Sequence, residues 1–545
     1  MNKKSIGISG LAAYLPPYRV WLEDWCEWTG NQWPKIREVV GRSFRVRGPH
    51  QSVYTMAATA VMRLIEQYDI DPARVKFLGL GTESSTDNSA GAIIVKGMVD
   101  RALVAAGKPP IARSCEVPEF KHACLGGVYG MKGALRHLAL DGAGGQAIVV
   151  CADIAEYARG SSGEPTQGAG AVAMLLEEDP ALAEVDLVRS GSASDYRIMD
   201  FRKPMLRFCG QDRSETHHVQ DFPVFNGKYS TTCYIDETLH ALNDMYEKRG
   251  LNAIDYLRSL DTIFLHRPYR RMPETGWAVA YLFALGQGRS EDRAELASYC
   301  YEAGVEPEAV LNEMTSNPEI VSLASPEHLH YEAYPLTMAV FRIFRASRHY
   351  RREILDKMAL GSDTMLDLGN LYTAALPAWM AAGLEQALDE GTALEGQELL
   401  TLGYGSGDAA EVIPVIMADS WREATARIGF GNAMELAVDL DRDQYAALHD
   451  GRRVTGLDIL PRAEFVIDKV GCTDDRQFQD LGIEYYKYVS WSSRTTLLTP
   501  VSTGLDRLIN GTDAASGRCG PGGFSGPCAA GMPRPERTGT YLQRP

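Results

Sequence analysis

The chain has 545 residues and a mass of 59.8 kDa, enough for several domains or one large α/β unit. Hydrophobic residues make up 45% of it and charged residues 23%, which is typical of a globular protein, and no apolar run approaches the roughly 18 residues of a membrane span. The net charge of −16 disfavours binding to nucleic-acid phosphates or anionic membranes. The amino terminus lacks the apolar core of a secretory signal, and ten cysteines without a CxxC pair suit reduced thiols, so we expect a cytoplasmic protein.

Apolar strands alternate with amphipathic helices through the first 180 residues. Continuous apolar runs predict strands, and runs with helical spacing predict helices between them. The predicted strands are residues 5–13, 75–84, 145–155 and 170–178, and the predicted helices are residues 54–68 and 126–140. This alternation indicates an α/β fold with a mainly parallel sheet.

The same order of strand, loop and helix returns later in the chain. Residues 261–271 and 399–413 each resemble a strand that runs into a loop, and residues 281–365 are predicted to form a helical insertion over the second half. From residue 511 onwards, Gly, Pro and Ala replace large apolar residues, which predicts a disordered tail. The predicted division is an N-terminal half at 1–180, a C-terminal half at 181–510 and the tail at 511–545.

Three residues stand where catalytic side chains are commonly found. Cys124 precedes a glycine pair and an amphipathic helix, whose positive dipole end would favour the thiolate. Glu83 follows an apolar strand at its carboxyl end, where burial would raise its pKa as a general base requires. His266 ends a strand just before Pro268 and could orient or protonate a substrate oxygen. Alone, each residue also fits a structural role in the core or in a loop.

Two further segments suit ligand binding. Asn370 offers an amide beside a turn. The glycine-rich turn at 403–407 brings backbone N–H groups close to a ligand, as an oxyanion hole or a phosphate cradle would. Arg267, Arg270 and Arg271 form one of the few basic clusters, which could meet phosphates or form a solvated face.

Taken in order, these motifs resemble those of the 3-hydroxy-3-methylglutaryl-CoA (HMG-CoA) synthase family, a branch of the thiolase superfamily. The resemblance covers roughly residues 5–440. The motifs that carry it are GTESSTDNS, EFKHACLGG, ADIAEYARGSSGEPTQGAGAVAML, MDFRKP, VFNGKYSTTCY, FLHRPYRRM, LGNLYTAAL and GYGSGDAAE. It implies a five-layered αβαβα fold built from two similar halves, usually assembled as a homodimer.

The resemblance also implies a role for each candidate residue. Cys124 would accept an acetyl group from acetyl-CoA as a thioester, and Glu83 would remove a proton from its methyl group to make a carbon nucleophile. His266 would polarise the ketone of the acetoacetyl acceptor, which Asn370 would help to bind, and Arg271 replaces a lysine near the CoA phosphates. The other positions that line the acyl site in the family are Tyr157, Thr166, Phe201 and Ser406.

Three positions depart from the family pattern. Leu125 follows the candidate nucleophile where tyrosine is common, and Ala90 replaces a familiar lysine. The arginine at 271 keeps the charge of the usual lysine but changes its hydrogen-bond geometry. These departures leave Glu83, Cys124 and His266 in place. They affect the expected shape of the acyl pocket and the expected recognition of the group that carries the acyl chain.

The leading hypothesis is an acyltransferase that condenses acetyl-CoA with acetoacetyl-CoA to give HMG-CoA and CoA, an early step toward mevalonate and isoprenoids. The alternative is an HMG-ACP synthase-like enzyme of polyketide β-branching, which acts on a β-ketoacyl group held on an acyl carrier protein. The acidity of the chain disfavours docking of an acidic carrier, unless the arginines at 267–271 form the landing site. Decarboxylative synthases of the same superfamily do not need a carboxylate base, so Glu83 favours the non-decarboxylative reaction.

A third hypothesis is a non-catalytic thiolase-fold scaffold that binds acyl-CoA. The presence of Glu83, Cys124 and His266 together disfavours it, because a scaffold needs no such trio. We expect neither a metal nor an organic cofactor, since CoA thioesters are substrates. The paired histidines at 217–218 and at 328 and 330 lack a third ligand at useful spacing.

Overall fold

A computed structural model describes residues 5–85, 91–197, 200–202, 222–224, 226–316, 318, 320, 332–452, 454, 457 and 461–490. The predicted tail, the departure at Ala90 and the paired histidines lie outside these residues. Within the described ranges, no helix combines the length and the apolar character needed to cross a membrane.

The strands and helices follow the alternation expected from the sequence. The strands are β1 (Ile6–Tyr14), β2 (Tyr18–Trp21), β3 (Ser43–Val46), β4 (Val75–Gly81), β5 (Glu119–Phe120), β6 (Gln146–Ala155), β7 (Gly168–Glu178), β8 (Ala183–Val185), β9 (Gly191–Ser194), β10 (Ile263–Leu265), β11 (Glu398–Gly405), β12 (Ala409–Met417), β13 (Val438–Asp439), β14 (Glu464–Val470) and β15 (Glu484–Val489). The helices are α1 (Leu22–Thr29), α2 (Trp33–Val39), α3 (Val53–Gln67), α4 (Gly91–Ala105), α5 (Gly126–Ala139), α6 (Gly227–Arg249), α7 (Ala253–Ser259), α8 (Arg271–Gln287), α9 (Ser290–Ala303), α10 (Pro307–Thr315), α11 (Pro335–Phe344), α12 (Arg348–Tyr350), α13 (Ala375–Asp389), α14 (Trp421–Thr425), α15 (Phe430–Glu435) and α16 (Arg442–His449).

One large sheet contains the strands of both halves. Its order is β10-β11-β12-β8-β1-β7-β6-β4-β5, with β9 paired to β12. Strand β8 pairs with both β12 and β1, so it joins the two halves. A small sheet has the order β13-β2-β3, and β14 and β15 form an antiparallel hairpin.

The prediction of a mainly parallel sheet is wrong, because the sheet is mixed. β4 pairs in parallel with β5 and β6, and β10 pairs in parallel with β11. In contrast, β6 with β7, β1 with β7, and β11 with β12 are antiparallel. The connection from β6 to β7 contains no α-helix, and the connection from β11 to β12 is a tight turn, so neither provides the crossover helix that usually joins parallel strands.

The layers agree with the expected αβαβα arrangement. Helices α3 and α4 cover one face of the N-terminal strands, and α5 and α13 lie on the other face. Helix α13 also contacts β10 and β11, so α5 and α13 form the central layer between the two sets of strands. Helix α6 covers β9, β11 and β12 on the far side, and α8 packs on α6. The chain therefore has a thiolase-like α/β fold.

The helical insertion expected over residues 281–365 corresponds to the end of α8 together with α9 to α12. Helix α8 begins earlier than expected, at Arg271, because the predicted strand at 261–271 stops at Leu265 and Pro268 turns the chain. Helices α9 and α11 pack on α8, and α10 packs on α9 and α11. This bundle thus lies outside α6, away from the sheet.

Candidate active site

Cys124 lies in the turn between β5 and α5, at the carboxyl ends of β4 and β6. The preceding Ala123 has a φ of 40°, a conformation that side chains rarely adopt and that is often found at functional sites. The start of α5 comes very close to the sheet, since a Cβ added at Gly127 would lie 2.2 Å from Sγ of Cys151. Glycine at this position therefore allows the helix to place Cys124 against the strand ends.

Three aromatic rings form a pocket around Cys124, which we call the aromatic pocket (Tyr157, Phe201 and Tyr372). The rings meet edge to face, with centroids 6.3 Å apart for Tyr157 and Phe201 and 5.6 Å apart for Phe201 and Tyr372. Phe201 and Tyr372 both have positive φ angles, 38° and 45°. Cys124 itself is 9% exposed, so the candidate nucleophile lies in a largely closed apolar site.

The expectation that the helix end favours the Cys124 thiolate is wrong as a net effect. Burial raises the pKa of Cys124 well above its ordinary value, and the charges of Glu83, Asp153 and Asp200 raise it further. A backbone hydrogen bond favours the thiolate, but its effect is smaller than that of burial and the three charges. The sulfur is therefore a protonated thiol at neutral pH, and its proton must leave when a substrate reacts.

Glu83 follows β4, and its loop is fixed by the buried carboxylate of Asp153 on β6. Asp153 Oδ1 accepts hydrogen bonds from Glu83 N at 2.9 Å and from Ser84 Oγ at 2.7 Å. Further donors to the same oxygen are Thr82 Oγ1 and Ser84 N. Burial raises the pKa of Asp153 to about 6, so these donors face a carboxylate at neutral pH.

Asp153 also connects the Glu83 loop to the segment that carries Asn370. Its other oxygen, Oδ2, accepts a hydrogen bond from Thr373 N at 3.0 Å. Asn370 Oδ1 accepts from Tyr372 N at 2.8 Å, and Asn370 N donates to the carbonyl oxygen of Thr166 at 2.9 Å. One carboxylate thereby connects segments of both halves at the site.

His266 directly follows β10, where two backbone contacts fix its position. Its N–H donates to the carbonyl oxygen of Leu402 at 2.7 Å, and the Tyr234 hydroxyl donates to its carbonyl oxygen at 3.2 Å. The imidazole stacks on Tyr404, with centroids 6.5 Å apart and planes 25° apart. Both ring nitrogens are buried without a hydrogen-bond partner among the described residues. Burial lowers the pKa of His266 to about 3, so the neutral ring can still donate to a substrate oxygen from one nitrogen.

The remaining predicted residues divide into two groups. Thr166 is buried, and its Oγ1 donates to the carbonyl oxygen of Gly163 at 2.8 Å. Ser406 follows β11 at a point where a Cβ on Gly405 would lie 2.6 Å from the carbonyl oxygen of His122, so this turn lies against the Cys124 loop. Arg271 differs from these two residues, because its guanidinium pairs with the carboxylates of Glu38 and Glu274.

Arg271 forms ion pairs within a surface network. Its Nη2 lies 2.5 Å from Oε1 of Glu38, and its Nη1 lies 3.4 Å from Oε2 of Glu274. Arg345 pairs with the same Glu38 oxygen at 2.6 Å. The side chain of Arg271 is 17% exposed, so it would have to exchange these partners to bind a phosphate.

A cavity of about 810 Å³ reaches Glu83 and Tyr372 from the surface. Part of its wall comes from the hairpin of β14 and β15, through Ile483 and Tyr486. Arg47 also lines it and pairs with Glu156 at 3.1 Å. This cavity is large enough for the arm of an acyl thioester, and the proposed base Glu83 forms part of its wall.

Sequence reasoning did not assign roles to Asp153, Tyr372 or Tyr404. All three lie inside motifs that support the family resemblance. Their positions in those motifs were the signal by which the sequence could have identified them. Leu125, the departure next to Cys124, is fully buried and packs against Gly403 and Gly405 rather than in the aromatic pocket. The substitution therefore places an aliphatic side chain between α5 and β11.

Comparisons with known proteins point to one enzyme family. A family model described as hydroxymethylglutaryl-coenzyme A synthase N terminal matches residues 2–181. The hydroxymethylglutaryl-CoA synthase of Haloferax volcanii is 26% identical over 437 residues, which cover 79% of this chain and 88% of that protein. The enzyme of the same name from Enterococcus faecalis is 31% identical over 269 residues, or 49% of this chain and 62% of that protein.

Solved structures give the same result for the whole fold. MvaS in complex with 3-hydroxy-3-methylglutaryl coenzyme A superimposes with a TM-score of 0.68 at 26% identity, covering 89% of this chain and 100% of that one. The HMG synthase of the curacin biosynthetic pathway, in complex with acetyl donor-ACP, shares the fold with a TM-score of 0.60 at 17% identity, over 89% of this chain and 100% of that one. The family model, the two relatives and the structure of MvaS together support the hydroxymethylglutaryl-CoA synthase family, within the thiolase superfamily.

Proposed function

We propose that the protein catalyses the condensation of acetyl-CoA with acetoacetyl-CoA and water to give HMG-CoA and CoA. The observation that carries this proposal is the placement of Cys124 in the aromatic pocket, close enough to Glu83 for that charge to raise its pKa. The neutral His266 is connected to the same region through Tyr404 and Asp200. The names of the relatives support the same reaction. The proposal includes a homodimer, as is usual in the family, a cytoplasmic location and a place in the mevalonate pathway.

The first step transfers an acetyl group to Cys124. The sulfur attacks the thioester carbon of acetyl-CoA, the bond to the CoA sulfur breaks, and the proton of the Cys124 thiol ends on the departing CoA thiolate. The raised pKa of Cys124 means that this proton stays on the enzyme until the substrate arrives. Covalent capture then converts a three-component condensation into two simpler steps.

The second step forms the carbon–carbon bond. Glu83 removes a proton from the methyl group of acetyl-Cys124, and the resulting carbon nucleophile attacks the ketone of the acceptor. A neutral His266 donates a hydrogen bond to the ketone oxygen and stabilises the negative charge that develops there. The proton taken by Glu83 is then available for the new hydroxyl group.

The third step releases the product. Water cleaves the thioester between the product and Cys124, which restores the thiol and leaves a carboxylate on HMG-CoA. The nucleophile, base and hydrogen-bond donor all come from side chains of the protein, so the proposed reaction requires no metal or organic cofactor.

A second candidate differs only in the acceptor, which would be a β-ketoacyl group on an acyl carrier protein. The observation that favours it is the surface on which Arg271 and Arg345 both pair with Glu38. An acidic carrier could bind this arginine-rich surface by exchanging partners.

The test supplies purified protein with acetyl-CoA and either acetoacetyl-CoA or acetoacetyl carrier protein, and measures HMG product and released CoA. We expect product with acetoacetyl-CoA, and we expect none from Cys124→Ala. Cys300→Ala is a matched control, because Cys300 is also a buried cysteine but lies on α9. Product only with the carrier would select the second candidate, and no product with either acceptor would contradict both.

A further inference from the structure

Asp200 and Asp408 form a buried carboxyl pair behind the aromatic pocket. They are 0% and 2% exposed, and one oxygen of each lies within 4.8 Å of the other and of Sγ of Cys233. The Tyr404 hydroxyl lies 2.9 Å from Asp200 Oδ2 and 3.0 Å from Asp408 Oδ1. Asp200 Oδ1 and Asp408 Oδ2 are buried and have no hydrogen-bond partner within the described ranges.

This geometry conflicts with two ionised carboxylates. A tyrosine hydroxyl carries one proton, so it cannot donate a full hydrogen bond to both acids. Two negative charges at this separation in a buried site would also repel strongly. One proton on the pair removes both conflicts, because a protonated carboxyl can donate to the hydroxyl or to the facing carboxylate.

The nearest cation does not neutralise the second charge. Arg197 Nε lies 3.9 Å from Asp408 Oδ2, while the two Nη atoms of Arg197 pair with Asp195 at 2.5 Å and with Asp236 at 2.7 Å. Burial and the charge of Asp200 raise the pKa of Asp408 to about 10. The described titratable and charged groups around the pair are Tyr229, Cys233, Asp236 and Glu237 on α6, Asp195 and Arg197 after β9, and Tyr404 on β11.

We propose that Asp200 and Asp408 share one proton and act as positioning residues that hold Tyr404 against the imidazole of His266. Tyr404 bridges the two sides, since its hydroxyl contacts the pair and its ring stacks on His266. The shared proton also limits the pair to one negative charge near Cys124, whose ionisation Asp200 already disfavours. The role of the pair rests on the proposed function, whereas the proton itself is a property of the resting protein.

Infrared difference spectroscopy of the resting protein tests the shared proton without any substrate. At neutral pH, the spectrum of the wild type minus that of Asp408→Asn should contain the C=O band of a protonated carboxyl, which shifts in D₂O. Asp200→Asn should lose this band although Asp408 is present, because Asp408 ionises once the facing charge is removed. A difference spectrum with carboxylate bands only would overturn the proposal.

A divalent metal ion is the competing way to neutralise the pair, since Asp200, Cys233 and Asp408 could each supply one ligand atom. Elemental analysis of the purified protein distinguishes the two. We expect no stoichiometric zinc, manganese or iron. One bound equivalent that Asp408→Asn removes would overturn the shared proton.

The positioning role is tested by kinetics of condensation. Asp408→Asn keeps a neutral hydrogen-bonding group, so kcat should fall only about threefold. Asp408→Leu and Tyr404→Phe each remove the hydrogen bond between the two residues, so each should lower kcat roughly tenfold with little change in KM. Asp408→Asn should also extend activity at the alkaline end of the pH profile, because the group that titrates there is gone. Equal losses in Asp408→Asn and Asp408→Leu would contradict the role. Absence of condensation by the wild type would instead contradict the proposed function and leave the infrared result intact.

Discussion

The two proposed catalytic side chains, Glu83 and His266, are fixed in different ways. On the Glu83 side, Asp153 accepts hydrogen bonds from the Glu83 loop and from Thr373. On the His266 side, the ring is fixed by burial and by stacking on Tyr404, and its nitrogens are available to a substrate. The difference follows from the chemistry, because a base needs a fixed direction of attack, whereas a hydrogen-bond donor to the substrate must not be occupied by the protein.

Removal of the imidazole should have the largest effect. His266→Ala should lower the rate of condensation about a thousandfold, since loss of one preorganised donor to a developing oxyanion costs 10²–10³ and the cavity left behind adds to it. Acetylation of Cys124 should change far less, because His266 acts on the acceptor. The two steps are measured separately by single-turnover kinetics. An equal loss of rate in both steps would mean that His266 also takes part in the transfer of acetyl to Cys124.

Loss of the Asp153 carboxylate should have the next largest effect. Asp153→Ala leaves the buried N–H groups of Glu83, Ser84 and Thr373 without their acceptor, so we expect condensation to fall about a hundredfold and the free energy of unfolding to fall by about 3–5 kcal/mol. Denaturant unfolding and steady-state kinetics measure the two effects. Asp419→Asn, on the exposed turn after β12, is the control. An active and stable Asp153→Ala would show that the loop does not need this acceptor.

The protonated state of Cys124 predicts slow alkylation. The thiolate is the reactive form, and the raised pKa of Cys124 leaves less of it at neutral pH than in a free cysteine. Iodoacetamide should therefore modify Cys124 at least about tenfold more slowly than it modifies a model thiol of ordinary pKa. The rate should keep rising above the pH at which the model thiol levels off. Mass spectrometry of the labelled peptide measures it, and a rate that levels off near neutral pH would contradict the assignment.

The smallest effect is expected at the surface arginine. Arg271→Ala should raise KM for acetyl-CoA about threefold and leave kcat nearly unchanged, because the guanidinium is already engaged by Glu38 and Glu274 and contributes little net binding. Steady-state kinetics measures KM and kcat for Arg271→Ala. Arg351→Ala is the matched control, because it removes an arginine whose side chain is exposed. A rise in KM above about thirtyfold would mean that Arg271 is a principal phosphate ligand.

Local sequence pattern was sufficient to place the three proposed catalytic residues at their elements. Glu83 does follow β4, Cys124 does precede α5, and His266 does follow β10. The predicted strands and helices of the first 180 residues were confirmed, because apolar periodicity reflects burial directly. The mixed direction of the strands was missed, since it depends on the length of connections between elements rather than on the elements themselves.

The electrostatics of the site could not be predicted from the sequence. The pKa of Cys124 depends on Glu83, Asp153 and Asp200, which only the tertiary fold brings near the sulfur. The same holds for Asp408, which is distant in sequence from Asp200 but meets it at Tyr404. A helix end is a local feature and can be recognised from sequence, whereas the charges that outweigh it are not local.

The most direct test of the account is the fate of an acetyl group on Cys124. Wild type and Glu83→Gln are incubated with labelled acetyl-CoA, the modified peptide is identified by mass spectrometry, and acetoacetyl-CoA is then added. We predict acetyl-Cys124 in both proteins, transfer of the label into HMG-CoA only in the wild type, and wild-type behaviour in Glu390→Gln, which lies just after α13. Absence of acetyl-Cys124 in the wild type, or full transfer of the label by Glu83→Gln, would contradict the account.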